Sequence, residues 1–209
     1  MRHLTKLVGT IAALGASVSC GNVVRQGRAP VYVVIDSLQA SRGAATAGTP
    51  SGFLLSDVQT LVTSPAPCTT TTPCRTVFND TGAVTLRVSP KDIGTVAAPA
   101  APSTNNDVTI SRYRVTFRRA DGRNAPGVDV PYAFDGAVTG TIAVGGTLSL
   151  NFELVRHVAK AESPLVQLIA SQVIISTIAD ITFYGRDQVG NDVSVTGSLL
   201  VDFGNFGDF

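Results

Sequence analysis

Three cysteines and two histidines are the only thiols and imidazoles in the 209-residue chain, so their spacing bounds its nucleophilic and metal chemistry. Cys68 and Cys74 enclose the segment CTTTTPC. An even pair at short range in an oxidising compartment is most simply a disulfide, here a staple for a Thr-rich loop with few other ways to hold a shape. A redox or zinc role would call for Cys-x-x-Cys spacing and further ligands, and His157 is the only histidine after His3. His157 falls on the polar parity of an expected strand, beside Arg156, and reads as an exposed strand residue. Ser-His-Asp and Cys-His mechanisms need a base within hydrogen-bond reach of a nucleophile. The chain carries no G-x-S-x-G elbow, no H-E-x-x-H pair and no Gly-rich phosphate loop. Carboxylate pairs that meet only in space are the one catalytic route left open. The expectation is a protein that is not an enzyme, with no cofactor and no metal.

Acidic residues gather at expected turns, with Asp121, Asp129 and Asp135 in one region and Asp187 and Asp192 in another. Oxygen-rich turns can hold Ca²⁺, which takes six to eight oxygen ligands. No EF-hand spacing is present, and Asp forms turns through hydrogen bonds to its own backbone, so the turn role is favoured. The basic run Arg112, Arg114, Arg118, Arg119 and Arg123 interleaves with Tyr113 and Phe117. In a strand the aromatics face the core and the arginines face solvent, which is no stacking platform for nucleic acid. Arginine-rich faces are favoured at protein interfaces, so these five are the candidate interaction surface.

The N-terminus carries Arg2 and Lys6, then an uncharged apolar run from Leu7 to Val18, then the small residues of ASVSC ending at Cys20. That is the layout of a secretory signal peptide, and a cysteine at the cleavage point suggests lipid attachment to its thiol. Val18-Ser19-Cys20 resembles the end of a bacterial lipobox, departing at Ser17, where that motif has a large aliphatic residue. The resemblance implies a lipoprotein of the bacterial cell envelope, on its periplasmic or outer-surface side. The expected organisation is a signal over 1–19, a tether over 20–29 and one domain over 30–209. Loss of Arg2 and Lys6 with the signal leaves fourteen of sixteen basic residues against fifteen acidic ones. A near-neutral domain lacks the basic footprint of a nucleic-acid binder.

The elements that must position these residues read as strands. Val, Thr, Ala and Gly are abundant, tryptophan is absent, and β-branched runs alternate with Gly and Pro punctuation. Strands are expected at 31–38, where the apolar run suggests burial on both sides, and at 52–62. RTVFND and AVTLRVS read as a hairpin turning at Thr81-Gly82. Residues 91–106, with AAPAAPSTNN, form an exposed loop. Asp107–Arg119 is a long strand whose parity changes near Ser111 or Arg112, which predicts a bulge. Gly145-Gly146 turns into 147–160, and Ser163-Pro164 is expected to cap a short helix over 164–170. The final hairpin places Val193, Val195, Gly197, Leu199, Val201 and Phe203 on one face, and Phe206 and Phe209 follow as residues that fold back or enter a partner's groove.

FYGRDQVGNDVSV resembles the closing hairpin of bacterial immunoglobulin-like domains, in which an aromatic-rich strand meets an Asp-x-x-Gly-Asn turn. Together with about nine strand candidates, it implies an all-β, antiparallel immunoglobulin-like β-sandwich with one short helix. The expected function is an exported, membrane-anchored, non-catalytic binding or structural protein. It would serve as an accessory subunit of a membrane or cell-surface assembly, held by lipid on Cys20 and meeting a protein partner. The alternatives are a carbohydrate- or small-ligand-binding module and, behind it, an unrecognised hydrolase.

Overall fold

Residues 27–44, 48–101 and 103–206 are described in a computed structural model. Cys20, the expected signal and Phe209 lie outside the described residues. β1 (Val31–Ser41) is followed by β2 (Phe53–Asp57) and by a ribbon of β3 (Thr60–Val62) and β4 (Cys74–Thr76). β5 (Asp80–Pro90) leads into a segment where β6 (Gly94–Thr95) and β7 (Ala98–Pro99) form a second small ribbon. β8 (Val108–Arg118), β9 (Phe134–Ile142) and β10 (Thr147–Val155) come next. A helical turn α1 (His157–Lys160) and a 3-10 helix (Leu165–Ala170) precede β11 (Ile175–Asp187) and β12 (Asp192–Gly204).

Two sheets carry the fold, in the orders β1-β5-β10 and β2-β12-β11-β8-β9. All their pairings are antiparallel except β2 on β12, which is parallel. The fold is therefore all-β. The sheets face each other across one apolar core, since the inward parity of the long strands is buried, or half-buried in β9, while the alternate residues are more exposed. Phe152 on β10 bridges the layers, its ring centroid 5.2 Å from Tyr113 on β8 and 5.3 Å from Phe183 on β11. Phe117 and Phe203 pack edge-on at 5.6 Å nearer the β12 end. A buried aromatic of this size is worth about 3–5 kcal/mol against alanine.

The long alternating runs form strands as expected. The bulge falls where the parity changes, with the β8–β9 register shifting between Ile110 and Arg112, so Ser111 and Arg112 both face out. The disulfide Cys68–Cys74 is formed and closes the end of the β3–β4 ribbon. The β11–β12 hairpin pairs residue for residue from Ile175↔Phe203 to Arg186↔Asp192.

Four readings are corrected. Thr81 and Gly82 do not turn a hairpin; both lie inside β5, paired with β1 and β10. Gly82 is there because the Phe152 ring occupies the space of a Cβ. Residues 52–62 are two strands in two different sheets, broken between Asp57 and Thr60 as the chain leaves β12 for the ribbon. β1 is not buried on both sides: Val31 and Val33 are covered and Tyr32 between them is 58% exposed. Pro164 rather than Ser163 holds the cap position of the 3-10 helix, and the Ser163 hydroxyl instead accepts from Gln167 Nε2 at 3.3 Å. Ala29, the last residue of the expected tether, is buried in the core.

Candidate functional site

β8 presents three of the five arginines, because Tyr113, Val115 and Phe117 take the inward parity and leave Arg112, Arg114 and Arg118 outside. None of them is a free cation. Asp135, on the neighbouring β9, receives Arg112 Nη1 at 3.3 Å and Arg114 Nη1 at 2.8 Å. The Arg112 guanidinium also lies over the Tyr184 ring, 3.8 Å from its centroid. Arg118 donates from Nε to Asp180 at 2.6 Å, and Ser198 Oγ donates to the same carboxylate at 2.6 Å. Burial works to raise the Asp180 carboxyl, but the hydrogen bonds from Arg118 and Ser198 outweigh it and hold it below the usual carboxylate range. A threonine pair, Thr182 with Thr196 at 2.9 Å, continues the same outward face.

Arg119 and Arg123 belong elsewhere. They sit in the turn after β8 and wrap one carboxylate, each with Nη2 2.7 Å from Asp121 Oδ2. Hydrogen bonds from Arg119 and then Arg123 hold the Asp121 carboxyl far below its ordinary range. The expected five-arginine surface is thus a face of three and an end cluster of two. Exposed ion pairs contribute about 0.2–1 kcal/mol each, so their effect here is to fix guanidinium positions and cancel charge.

The apolar corner of this face was not legible as a site. Phe53, Leu55 and Leu200 are 52%, 41% and 46% exposed. They sit together because β2 joins β12 in parallel with Phe53 opposite Leu200 and Leu55 opposite Asp202. Nothing in the local sequence gives that pairing, since parallel neighbours are set by the crossover rather than by a turn.

A cleft of about 540 Å³ opens between β9 and β10 away from their connecting turn, over Tyr113 and Phe152. Its rim carries Asp135 and Glu153, with Arg156 between: Arg156 Nη2 donates to the Asp135 carbonyl at 2.7 Å and its Nε lies 3.8 Å from Glu153 Oε2. Both carboxylate side chains are nearly half exposed, at 47% and 46%. A general acid at neutral pH is usually made by burying a carboxyl away from cations, and this rim does the opposite. His157 is a correction in placement: it begins α1 instead of lying within a strand over 147–160, since β10 ends at Val155. It is exposed as expected, and Asn79 Oδ1 accepts from its backbone N–H at 2.6 Å and lies 2.9 Å from its Nδ1.

The acidic turns close on their own backbone. Asp187 Oδ1 accepts from the N–H of Val189 at 3.0 Å and of Asn191 at 2.8 Å. Asp129 accepts from the Ala125 N–H at 3.1 Å, and Asp121 is the arginine clasp. Among the described residues no group of three or more His, Cys, Asp or Glu side chains gathers as a metal site. No helix among them is long and apolar enough to cross a membrane.

One charged pair escaped sequence reasoning altogether. Asp80, the first residue of β5, and Lys160, the last of α1, are both fully buried, with Nζ 2.9 Å from Oδ2. Gly43 N–H donates to Asp80 Oδ1 at 2.8 Å and Ser56 Oγ to Oδ2 at 2.6 Å. The Nζ is at ion-pair distance yet makes no aligned hydrogen bond among the described residues. Burial is the largest influence on Asp80 and raises its carboxyl above the usual range, against the opposing pull of Lys160, Gly43 and Ser56. Lysine is almost never buried, so no local pattern marks Lys160 as an interior residue.

In comparisons with known proteins the chain matches no family model and no curated protein.

Proposed function

We propose that the chain is an exported, lipid-anchored, non-catalytic binding protein of the cell envelope, an immunoglobulin-like sandwich that meets a protein partner through the open face of its five-stranded sheet. Support for the sandwich type lies in strand order. Counting the seven long strands, the first, second and fifth share a sheet and the third, sixth and seventh share the other, which is the immunoglobulin order. The fourth, β9, departs by sitting beside the third.

The observation that carries the partner reading is the open face itself. Arg112, Arg114 and Arg118 are held by Asp135 and Asp180 next to Tyr184 and the exposed Phe53, Leu55 and Leu200. Interfaces are enriched in arginine and aromatic residues and depleted in lysine, and guanidinium groups already oriented lose less entropy on docking. Arg119 and Arg123 lie outside that face and are assigned no contact. Attachment through Cys20 rests on the signal-like N-terminus and its lipobox resemblance.

Affinity purification of the full chain from native membranes in mild detergent tests the partner reading. A specific co-purifying protein is expected, and its loss with Leu200→Glu and with Arg114→Glu. An unchanged set of proteins with both variants overturns the assignment to this face. Mass spectrometry of the mature N-terminus tests the anchor: a diacylglyceryl Cys20 is expected, and an intact Met1 sinks it. A second reading, a small-ligand module, is favoured by the cleft between β9 and β10; a glycan array without hits on the purified chain counts against it.

A further inference from the structure

We infer that the β6–β7 ribbon is a second membrane contact, which enters the phospholipid surface carrying the Cys20 anchor. The inference rests on that anchor reading. Every residue from Lys91 to Ala101 is exposed, and no charged residue occurs between Asp92 and Asp107. Val96, at the ribbon tip, is fully exposed, and Ile93 is 75% exposed. An apolar projection rimmed by polar groups marks a surface that is covered in use.

The place of the ribbon decides what covers it. Lys91 N–H donates to the Pro30 carbonyl at 2.9 Å, so the ribbon base is fastened where the chain enters the fold. Ala29 is buried nine residues after Cys20, and nine residues reach at most about 30 Å. With acyl chains on Cys20, this end of the sandwich is the one held at the bilayer. Val189, exposed in the turn after β11, lies at the same end, since Asp187 pairs with Val108 at the start of β8. Tyr32 is exposed there too, with Lys91 Nζ 5.0 Å from its ring centroid. Amphipathic rings and lysines suit the headgroup layer. The ribbon can enter that layer because its backbone donors have partners. Gly94 N–H donates to Asp92 Oδ1 at 2.8 Å, Ala98 N–H to Thr95 Oγ1 at 3.1 Å and Ala100 N–H to the Ile93 carbonyl at 3.1 Å. Pro99 has no N–H to satisfy.

The chain contains no tryptophan, so Val96→Trp supplies a sole indole as reporter. The full chain, purified from native membranes in mild detergent, is reconstituted with vesicles of phosphatidylethanolamine and phosphatidylglycerol. Flotation reads the anchor, and quenching of the indole by brominated acyl chains reads the ribbon. Co-flotation with a blue-shifted, quenched indole is expected. Val173→Trp puts the reporter on an exposed residue at the opposite end, just before β11, and is expected to stay unquenched. Adding Ile93→Glu to Val96→Trp is expected to remove most of the quenching, because a carboxylate resists the bilayer. Quenching unchanged by Ile93→Glu, or equal for the two reporters, overturns the inference. Co-flotation with an unquenched indole at position 96 also overturns it and leaves the anchor standing. A chain that does not float with the vesicles fails the anchor reading and takes the inference with it.

Discussion

The open sheet and the β5–α1 corner are both built on a basic side chain meeting an aspartate, and their surroundings give these pairs different weights. Arg114 and Asp135 are each nearly half exposed, while Lys160 and Asp80 are not exposed at all. Water screens the first pair, so it orients groups and contributes little stability. The second pair has no such screening: either partner alone would be an uncompensated charge in the interior. A surface can therefore carry many arginines at small cost, whereas one buried lysine constrains the strand, the helical turn and the loop that meet on it.

The comparison is tested most severely by Lys160→Met, which removes the amine of the ion pair and leaves Asp80 buried without it. Denaturant unfolding is expected to show a loss of about 3–5 kcal/mol, the range for breaking a buried pair. Ser56→Ala comes next, at about 1–3 kcal/mol, because it removes a buried hydrogen bond to a charged group. Asp180→Asn is expected to cost about 1 kcal/mol or less, since its partner Arg118 is half exposed. Arg114→Ala is expected to fall within about 0.5 kcal/mol of the parent, and a loss as large as that of Lys160→Met would erase the distinction between the two regions.

Acid titration sharpens the same contrast through its sign. Asp180 is held below its unfolded value, so its contribution is present above the ordinary carboxylate range and is lost as pH falls below about 4. Unfolding midpoints measured across that range should fall less steeply for Asp180→Asn than for the parent. Asp80, raised by burial, acts in the opposite sense: its contribution declines as pH rises through its folded value.

Much of the strand layout was legible because a half-buried strand writes its burial in alternation. Tyr113, Val115 and Phe117 against Arg114, Thr116 and Arg118 is such a case, and the parity change before them located the bulge. Gly82 was misread because glycine marks turns far more often than it marks room for a distant ring, and Phe152 lies seventy residues along. The apolar corner depended on β2 joining β12 in parallel, and the buried pair depended on α1 folding back over the start of β5. These are products of topology, and no window of sequence contains both halves of either one.

The direction in which β1 runs has a mechanical consequence. Val31 begins the strand opposite Pro90, and Gly204 ends β12 at the far end of the fold, beside Asp57. A pull between these two points acts along the strands, loading the β1–β5 ladder in shear across its roughly 33 Å length instead of peeling it open one bond at a time. A protein tethered ahead of β1 and gripped at its other end would thus meet tension with all the rungs of that ladder sharing the load.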